Sequence, residues 1–402
     1  MFDRRFVIVE LANILAGPIA SMYFAELGAR VIKIENPHTR GDATRGWRTL
    51  NEEPQHDVSS YFSCANWGKE SIALDTTTPA GLAIAHDLCA RADIVTASFK
   101  PGDAHKLKLD YATLAGRNPR LIYGQINAYG EDDPRPGFDA IVQAEAGFTF
   151  LNGEPDGPPT KMPVALVDLL AAHQLKEALL LALLKRERTG EGSFVSVSLL
   201  QAAVASLANQ ATNYLVGGIV PRRMGSEHPN IVPYGTILMG KDGRGVVLAA
   251  ATERQYRDFV KAIGLPELAE DPEFQTARQR VARRDELLAR VRAKTAQMSS
   301  TALADALGRA MVPYGFVNDM AAVFEQPGAQ ALLMTGTANG HAIRGVHSCA
   351  FTGDAAAIVT PPPPPSLHEH AGILLRDFLG YDAAAIDGMI AGGAFGALGV
   401  SA

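Results

Sequence analysis

One aspartate stands where its chemistry would be useful. The run Pro163-Val164-Ala165-Leu166-Val167-Asp168 leads straight into an apolar stretch that reads as one long helix over 169–188. Asp168 is therefore expected at or near the helix N-cap. Aspartate is a favoured N-cap residue, and its charge suits the positive helix end, so a purely structural role is one reading. Ala171 stands where a capping box would place Glu or Gln, which leaves the carboxylate free of that pairing. A carboxylate at such a place is expected to stay ionised, as an attacking nucleophile must be.

Other chemistries lack their residues. Gly68-Lys69 resembles a phosphate loop only faintly, because Ser63 occupies the place of the first glycine and Glu70 follows the lysine. No GxGxxG follows the first strand, and no GxSxG elbow is present. His368-Glu369-His370 lacks the i, i+4 spacing of helix-borne zinc ligands and reads as two surface histidines near a helix start. Cys64, Cys89 and Cys349 stand far apart without a CxxC pair. They suit a reduced compartment and form neither a disulfide framework nor a local metal knot.

The elements that must position Asp168 alternate. Short apolar runs at 6–10, 30–35, 71–74, 94–97 and 121–125 read as strands, with helices at 17–27, 79–91 and 111–117 between them. That order predicts a mostly parallel, Rossmann-like sheet with helices on both faces. Ligands of such sheets bind at the carboxyl ends of the strands, which directs attention to 11–18, 35–47, 98–108 and 125–139. Further on, a strand at 194–198 and a helix at 199–215 are expected. A hairpin turns at Lys241-Asp242-Gly243, and helices follow at 252–263, 276–298 and 300–310. Residues 361–365 are five prolines, read as a stiff spacer, and 366–390 as a helical pair. The expected organisation is α/β: a large domain over 1–216, a linker at 217–233, an inserted smaller α+β domain over 234–330, and a return to the large domain over 331–402.

The chain has 402 residues and carries 37 Lys+Arg against 43 Asp+Glu, a net charge of −6. This balance argues against nucleic acid as a partner. The greasiest stretch, 164–184, contains Asp168, His173, Lys176 and Glu177, so it is expected to be a buried helix rather than a membrane span. The expected location is the cytoplasm.

The chain resembles the class III CoA-transferases, the family of formyl-CoA transferases, carnitine CoA-transferases and α-methylacyl-CoA racemases. The segments that carry the resemblance run in order along nearly the whole chain. They are Leu15-Ala16-Gly17-Pro18, residues 27–35, Gly41-Asp42, residues 69–75, Phe99-Lys100-Pro101-Gly102, Pro136-Gly137-Phe138-Asp139, Leu166-Val167-Asp168 and Arg188-Thr189-Gly190-Glu191-Gly192. Asp271-Pro272-Glu273-Phe274 and residues 312–318 continue them. Asn213-Tyr214-Leu215, Gly225-Ser226-Glu227-His228 and Ile231-Val232-Pro233-Tyr234 are most similar to the succinate–glutarate type.

The resemblance implies a CoA-transferase in which Asp168 attacks an acyl-CoA thioester and forms an aspartyl anhydride. It implies acyl-CoA and small carboxylates as substrates, no permanently bound cofactor, no metal, and an interlocked homodimer. CoA would run along Leu74, Ser98, Phe99, Lys100, Lys106 and Leu107. Leu15, Arg45, Phe138, Asp139, Gly225 and Ser226 are candidates for meeting the acid or an oxyanion. Glu26, His173 and His228 are weaker candidates, and Asp139 reads equally as a turn or cap residue. Racemases of the family carry histidine where Phe138 stands, and phenylalanine cannot exchange a proton. An acyl-CoA racemase and a catalytically silent CoA-binding protein are therefore the alternatives.

Overall fold

Five consecutive apolar-flanked residues, Val7–Leu11, form β1, and every one of them is buried. A strand covered on both faces needs such a run, because neither face meets water. The computed structural model describes residues 2–53, 56–338, 340–354 and 357–400. After β1 come α1 (Ala16–Glu26), β2 (Arg30–Glu35), β3 (Lys69–Ala73), α2 (Pro79–Ala90), β4 (Ile94–Ala97), β5 (Ile122–Asn127), α3 (Asp139–Glu145), α4 (Leu166–Thr189) and β6 (Ser193–Ser198). The six strands lie in the order β3-β2-β1-β4-β5-β6, and every pair is parallel. Val9 pairs with Ile32 on one side and with Val95 on the other. The chain thus reverses its direction of travel across the sheet between β1 and β4, which opens a crevice at the carboxyl ends of those two strands.

Odd residues of β1 face α2 and the C-terminal segment, in a core with Ile84, Leu88, Leu374, Leu375 and Phe395. The other face is covered by α1 and α4, which also pack on each other. Val167, Ala171, Ala172, Leu175, Leu179 and Ala182 form the buried stripe of α4. Gly124 of β5 permits that packing, since a Cβ there would stand 2.9 Å from the Leu175 side chain and 3.0 Å from that of Leu179. Burying Leu175 and Leu179 contributes about 1.5–3 kcal/mol each. Gly190, at φ 79°, ends the helix, and its N–H donates to Arg186 O.

The edge strand β3 is fully buried, and the C-terminal segment explains why. Ser71 N–H donates to His370 Nδ1 at 3.3 Å and Ala73 N–H to His368 Nδ1 at 3.0 Å. The two histidines satisfy the outward donors of the edge, so the reading of them as surface residues is corrected. The prolines are likewise no spacer: Pro361, Pro364 and Pro365 are buried, and Gly68 N–H donates to Pro362 O at 2.8 Å.

The chain divides into two compact units, one of 1–146, 163–207 and 331–402, the other of 147–162 and 208–330. The second unit holds an antiparallel sheet of β7 (Tyr234–Met239), β8 (Gly245–Ala249) and β9 (Tyr314–Phe316). Against it pack α5 (Glu253–Ala262), α6 (Arg284–Thr295) and α7 (Ser300–Arg309), with Phe259, Leu287, Val291 and Leu303 in the core. Two details differ from the sequence reading. The helix expected over 199–215 breaks into Leu199–Ala205 and Ala208–Leu215, with Ala208 at φ 48°, and the unit boundary falls there rather than at 216. Residues 147–162 belong to the second unit because Gly225 N–H donates to Gly153 O and Arg223 Nη1 to Phe150 O. The return to the first unit begins with a hairpin, β10 (Leu333–Ala338) and β11 (His341–Val346). Among the described residues no helix is long and apolar enough to cross a membrane.

Candidate active site

A cavity of about 250 Å³ opens where the sheet reverses direction. Its wall comes from residues 13–17 after β1, 98–101 after β4, 126–128 at the end of β5, and 135–138 before α3. Asp168 reaches it from the first turn of α4.

The start of α4 differs from expectation. The N-cap is Ala165, which offers no side-chain cap, and Asp168 is the third helical residue. The missing cap comes from elsewhere. Asp139 Oδ1 accepts from Val167 N–H at 2.8 Å, while its Oδ2 accepts from Gln143 Nε2 at 2.7 Å. Asp139 therefore fixes the first turn of α4 from outside the helix. Asp168 is free to face the cavity, with 8% of its surface exposed.

Burial, and then the negative charge of Asp139, raise the Asp168 carboxyl from the usual 3.8 to about 7. The expectation of a permanently ionised carboxylate is thus corrected. The helix N-terminus favours the anion, but desolvation and a neighbouring carboxylate oppose it more strongly. At neutral pH both forms are populated. A carboxylate so disfavoured in its ionised state is a stronger nucleophile than one stabilised by cations.

The cavity brings together Leu15, Ser98, Phe99, Lys100, Phe138 and Asp168. Leu15 is buried, while Lys100 and Phe138 are exposed. The remaining candidates stand elsewhere. Arg45 is buried in a two-point pair with Glu35, at 2.8 and 2.7 Å, and also donates to Asp57 O and Pro365 O. Its guanidinium is committed to the fold, which corrects its assignment to an acceptor acid. Leu74 is core, 2% exposed, and Leu107 packs on that same core. Lys106 is exposed and pairs with Asp103 at 2.8 Å. Asp139 stands behind the wall as described. Gly225 and Ser226 belong to the second unit, where Ser226 lines a separate groove with Arg223, Glu227 and Arg292. Glu26 is buried and accepts the backbone N–H groups of Ser348 and Cys349, His173 is exposed, and His228 lies in the second unit.

Three wall features lie in the segments 11–18 and 125–139 to which the sequence directs attention, but their roles were not assigned there. Asn13 and Ile14 line the cavity, and Ile14 has φ 72°, a conformation no sequence rule assigns to a β-branched residue. Arg135 also lines it, held by Asp133 at 3.0 Å and Glu145 at 3.2 Å and lying over the Tyr129 ring at 4.0 Å. Its signals in the sequence were its place in the segment 125–139 and one residue before Pro136-Gly137-Phe138-Asp139. The N–H groups at the start of α1, at Ala16 and Gly17, have no partner within the helix. Both residues line the cavity. Among the described residues no group of three or more His, Cys, Asp or Glu converges as a metal site.

Comparison with known proteins points the same way. The profile described as CoA-transferase family III matches residues 5–371. A succinate–glutarate CoA-transferase of Agrobacterium fabrum is 37% identical over 330 residues, covering 81% of this chain and 82% of that protein. The mouse succinyl-CoA:glutarate CoA-transferase is 36% identical over 79% of this chain and 72% of its own length. An acetyl-CoA:oxalate CoA-transferase of Acetobacter aceti is 33% identical, with 80% and 82% covered. The crystal structure of a CAIB/BAIF family protein from Brucella suis superposes with a TM-score of 0.79 at 36% identity, over 93% of this chain and 98% of that one.

Proposed function

The chain belongs to CoA-transferase family III and is a CoA-transferase acting on CoA thioesters, and from that premise we propose that it moves CoA from succinyl-CoA or a similar short acyl-CoA to a small dicarboxylic acid through anhydrides on Asp168. The observation that carries the reading is the Asp168 carboxyl, buried in a cavity at the reversal point of the sheet and raised to about 7.

The ionised Asp168 attacks the thioester carbon. The C–S bond breaks, CoA leaves as a thiolate, and an acyl–aspartyl anhydride remains. The acceptor carboxylate attacks the aspartyl carbonyl and expels the donor acid, giving a second anhydride. The thiolate then attacks the acceptor's acyl carbon, which releases the new acyl-CoA and returns Asp168 as a carboxylate. Each addition places negative charge on a carbonyl oxygen, and the N–H groups of Ala16 and Gly17, unpaired within the helix and on residues that line the cavity, are the donors proposed to stabilise it. Ser98, Phe99 and Lys100 supply a wall for CoA, with Lys100 as the phosphate contact. Phe138, in the place of the racemase histidine, offers no proton relay.

The test mixes pure protein with succinyl-CoA and glutarate and follows glutaryl-CoA by chromatography. Formation of glutaryl-CoA, its loss in Asp168→Ala, and a KM for acyl-CoA raised about tenfold in Lys100→Ala are expected. Deuterium exchange at Cα without transfer, or full activity in Asp168→Ala, would overturn the reading.

A further inference from the structure

Between β1 and α1 the chain makes a turn that its own sequence does not favour. Ile14 sits at φ 72°, and a β-branched side chain there clashes with its own backbone. The left-handed position itself is occupied by neither glycine nor asparagine. The conformation persists only because the surroundings impose it, and those surroundings are specific. Three backbone groups in a row are each held by a side chain from another part of the chain, Lys33 of β2, Ser98 just after β4, and Asp42 beyond β2. Lys33 Nζ donates to Ala12 O at 2.9 Å. Asn13 N–H donates to Ser98 Oγ at 3.0 Å. Ile14 N–H donates to Asp42 Oδ2 at 3.0 Å.

Asp42 is the centre of this clamp. The same Oδ2 meets Lys33 Nζ at 3.0 Å, so one oxygen holds both the strained residue and the cation that holds Ala12 O. Its Oδ1 accepts from Thr44 N–H at 3.0 Å and from Thr44 Oγ1 at 2.8 Å. Its own N–H donates to Glu35 Oε2 at 2.9 Å. The carboxylate therefore has no freedom to follow Ile14 if the turn relaxes. Behind it, Lys33 and Lys69 share Glu10, and Lys69 Nζ also donates to Pro18 O at 2.9 Å. The segment from Ala12 to Pro18 is thus fastened at both ends. Its residues 13–17 are the wall of the cavity that faces Asp168.

We propose that Asp42 is a positioning residue of the transferase site: it holds Ile14 in the left-handed turn that brings the N–H groups of Ala16 and Gly17 to the reacting carbonyl. The proposal rests on the reading of Asp168 as the nucleophile. A buried ion pair is by itself weak evidence of anything beyond folding. What separates the two roles is the strain at Ile14. Glycine adopts positive φ as readily as negative φ, so with Gly at position 14 the turn no longer depends on Asp42.

The experiment is a double-mutant cycle on kcat for the full-length enzyme with succinyl-CoA and glutarate. Asp42→Asn is made in the native chain and in an Ile14→Gly background. A misplaced wall costs on the order of 10–100-fold in kcat, and that loss is expected in the native background. With Ile14→Gly present, Asp42→Asn is expected to cost less than about threefold. Equal losses in both backgrounds would overturn the proposal, because a purely structural Asp42 would be indifferent to residue 14. If Asp42→Asn fails to fold beside Lys33, Asp42→Glu takes its place in the same cycle, since it keeps the charge and moves only the acceptor. Asp168→Asn is measured alongside. Activity in that variant sinks the nucleophile, whereas an inactive Asp168→Asn with equal losses in the cycle sinks only the role of Asp42.

Discussion

The two carboxylates at the start of α4 divide the work by where their oxygens point. Asp139 spends both oxygens on Val167 N–H and Gln143, while Asp168 is turned to the cavity. Attack on a thioester needs the ionised form, so activity of the free enzyme is expected to fall as pH drops through about 7. Asp139 contributes part of that raised value by charge. Asp139→Asn keeps an oxygen for Val167 N–H but removes the charge. The acid limb of kcat/KM against pH is then expected to move to lower pH, and an unmoved limb would show that burial alone sets it. Asp168 was legible in the sequence as a carboxylate opening a helix. Its ionisation was not, because Asp139 lies on another helix and burial is a property of the packed fold. Arg45 failed for the same reason: nothing local announces that Glu35 has claimed its guanidinium.

Elements were legible wherever one periodicity ruled a whole segment. β2 and β4 fall where their apolar runs put them, and α4 ends at Gly190 as its composition asks. Breaks set by tertiary contact were not visible, such as the interruption at Ala208 or the cap that Asp139 lends to α4. The covered edge of β3 belongs to this second kind, and it brings a pH dependence. His368 Nδ1 accepts from Ala73 N–H only while that nitrogen keeps its lone pair. Burial holds His368 below the usual 6.5. The unfolded chain therefore takes up its proton first as pH falls, and stability from this bond is full above about 6.5 and lost through the lower folded value. Melting temperature is expected to drop between pH 7 and pH 5, and His368→Phe to flatten that slope. An unchanged slope in the variant would assign the acid sensitivity to other groups.

At the scale of the molecule, alternation of strands and helices was enough to foresee a parallel sheet with a second unit inserted. It did not reveal that 147–162, a stretch between two helices of the first unit, joins the second. Composition likewise gave a mild net charge of −6, too small for self-repulsion to keep copies apart. Apolar surface is the counterweight. On α4, Leu181 and Leu184 are 68% and 49% exposed, on a helix whose opposite stripe is fully buried. In the second unit, Tyr214, Leu215, Val216, Ile219 and Val220 are all exposed within seven residues. Scattered apolar residues need no explanation, but a run of this kind marks an interaction surface. A second copy of the chain is the occupant proposed here, in keeping with the interlocked homodimer that the sequence resemblance implies. The expected sedimentation mass is twice the 42.7 kDa of one chain, stable on dilution to nanomolar concentration. Leu181→Glu combined with Leu184→Glu places two charges on the α4 surface and is expected to shift the mass toward one chain. A native protein that sediments as a single chain at micromolar concentration would remove the dimer, and with it the explanation for why so much leucine faces water on a helix that carries the nucleophile.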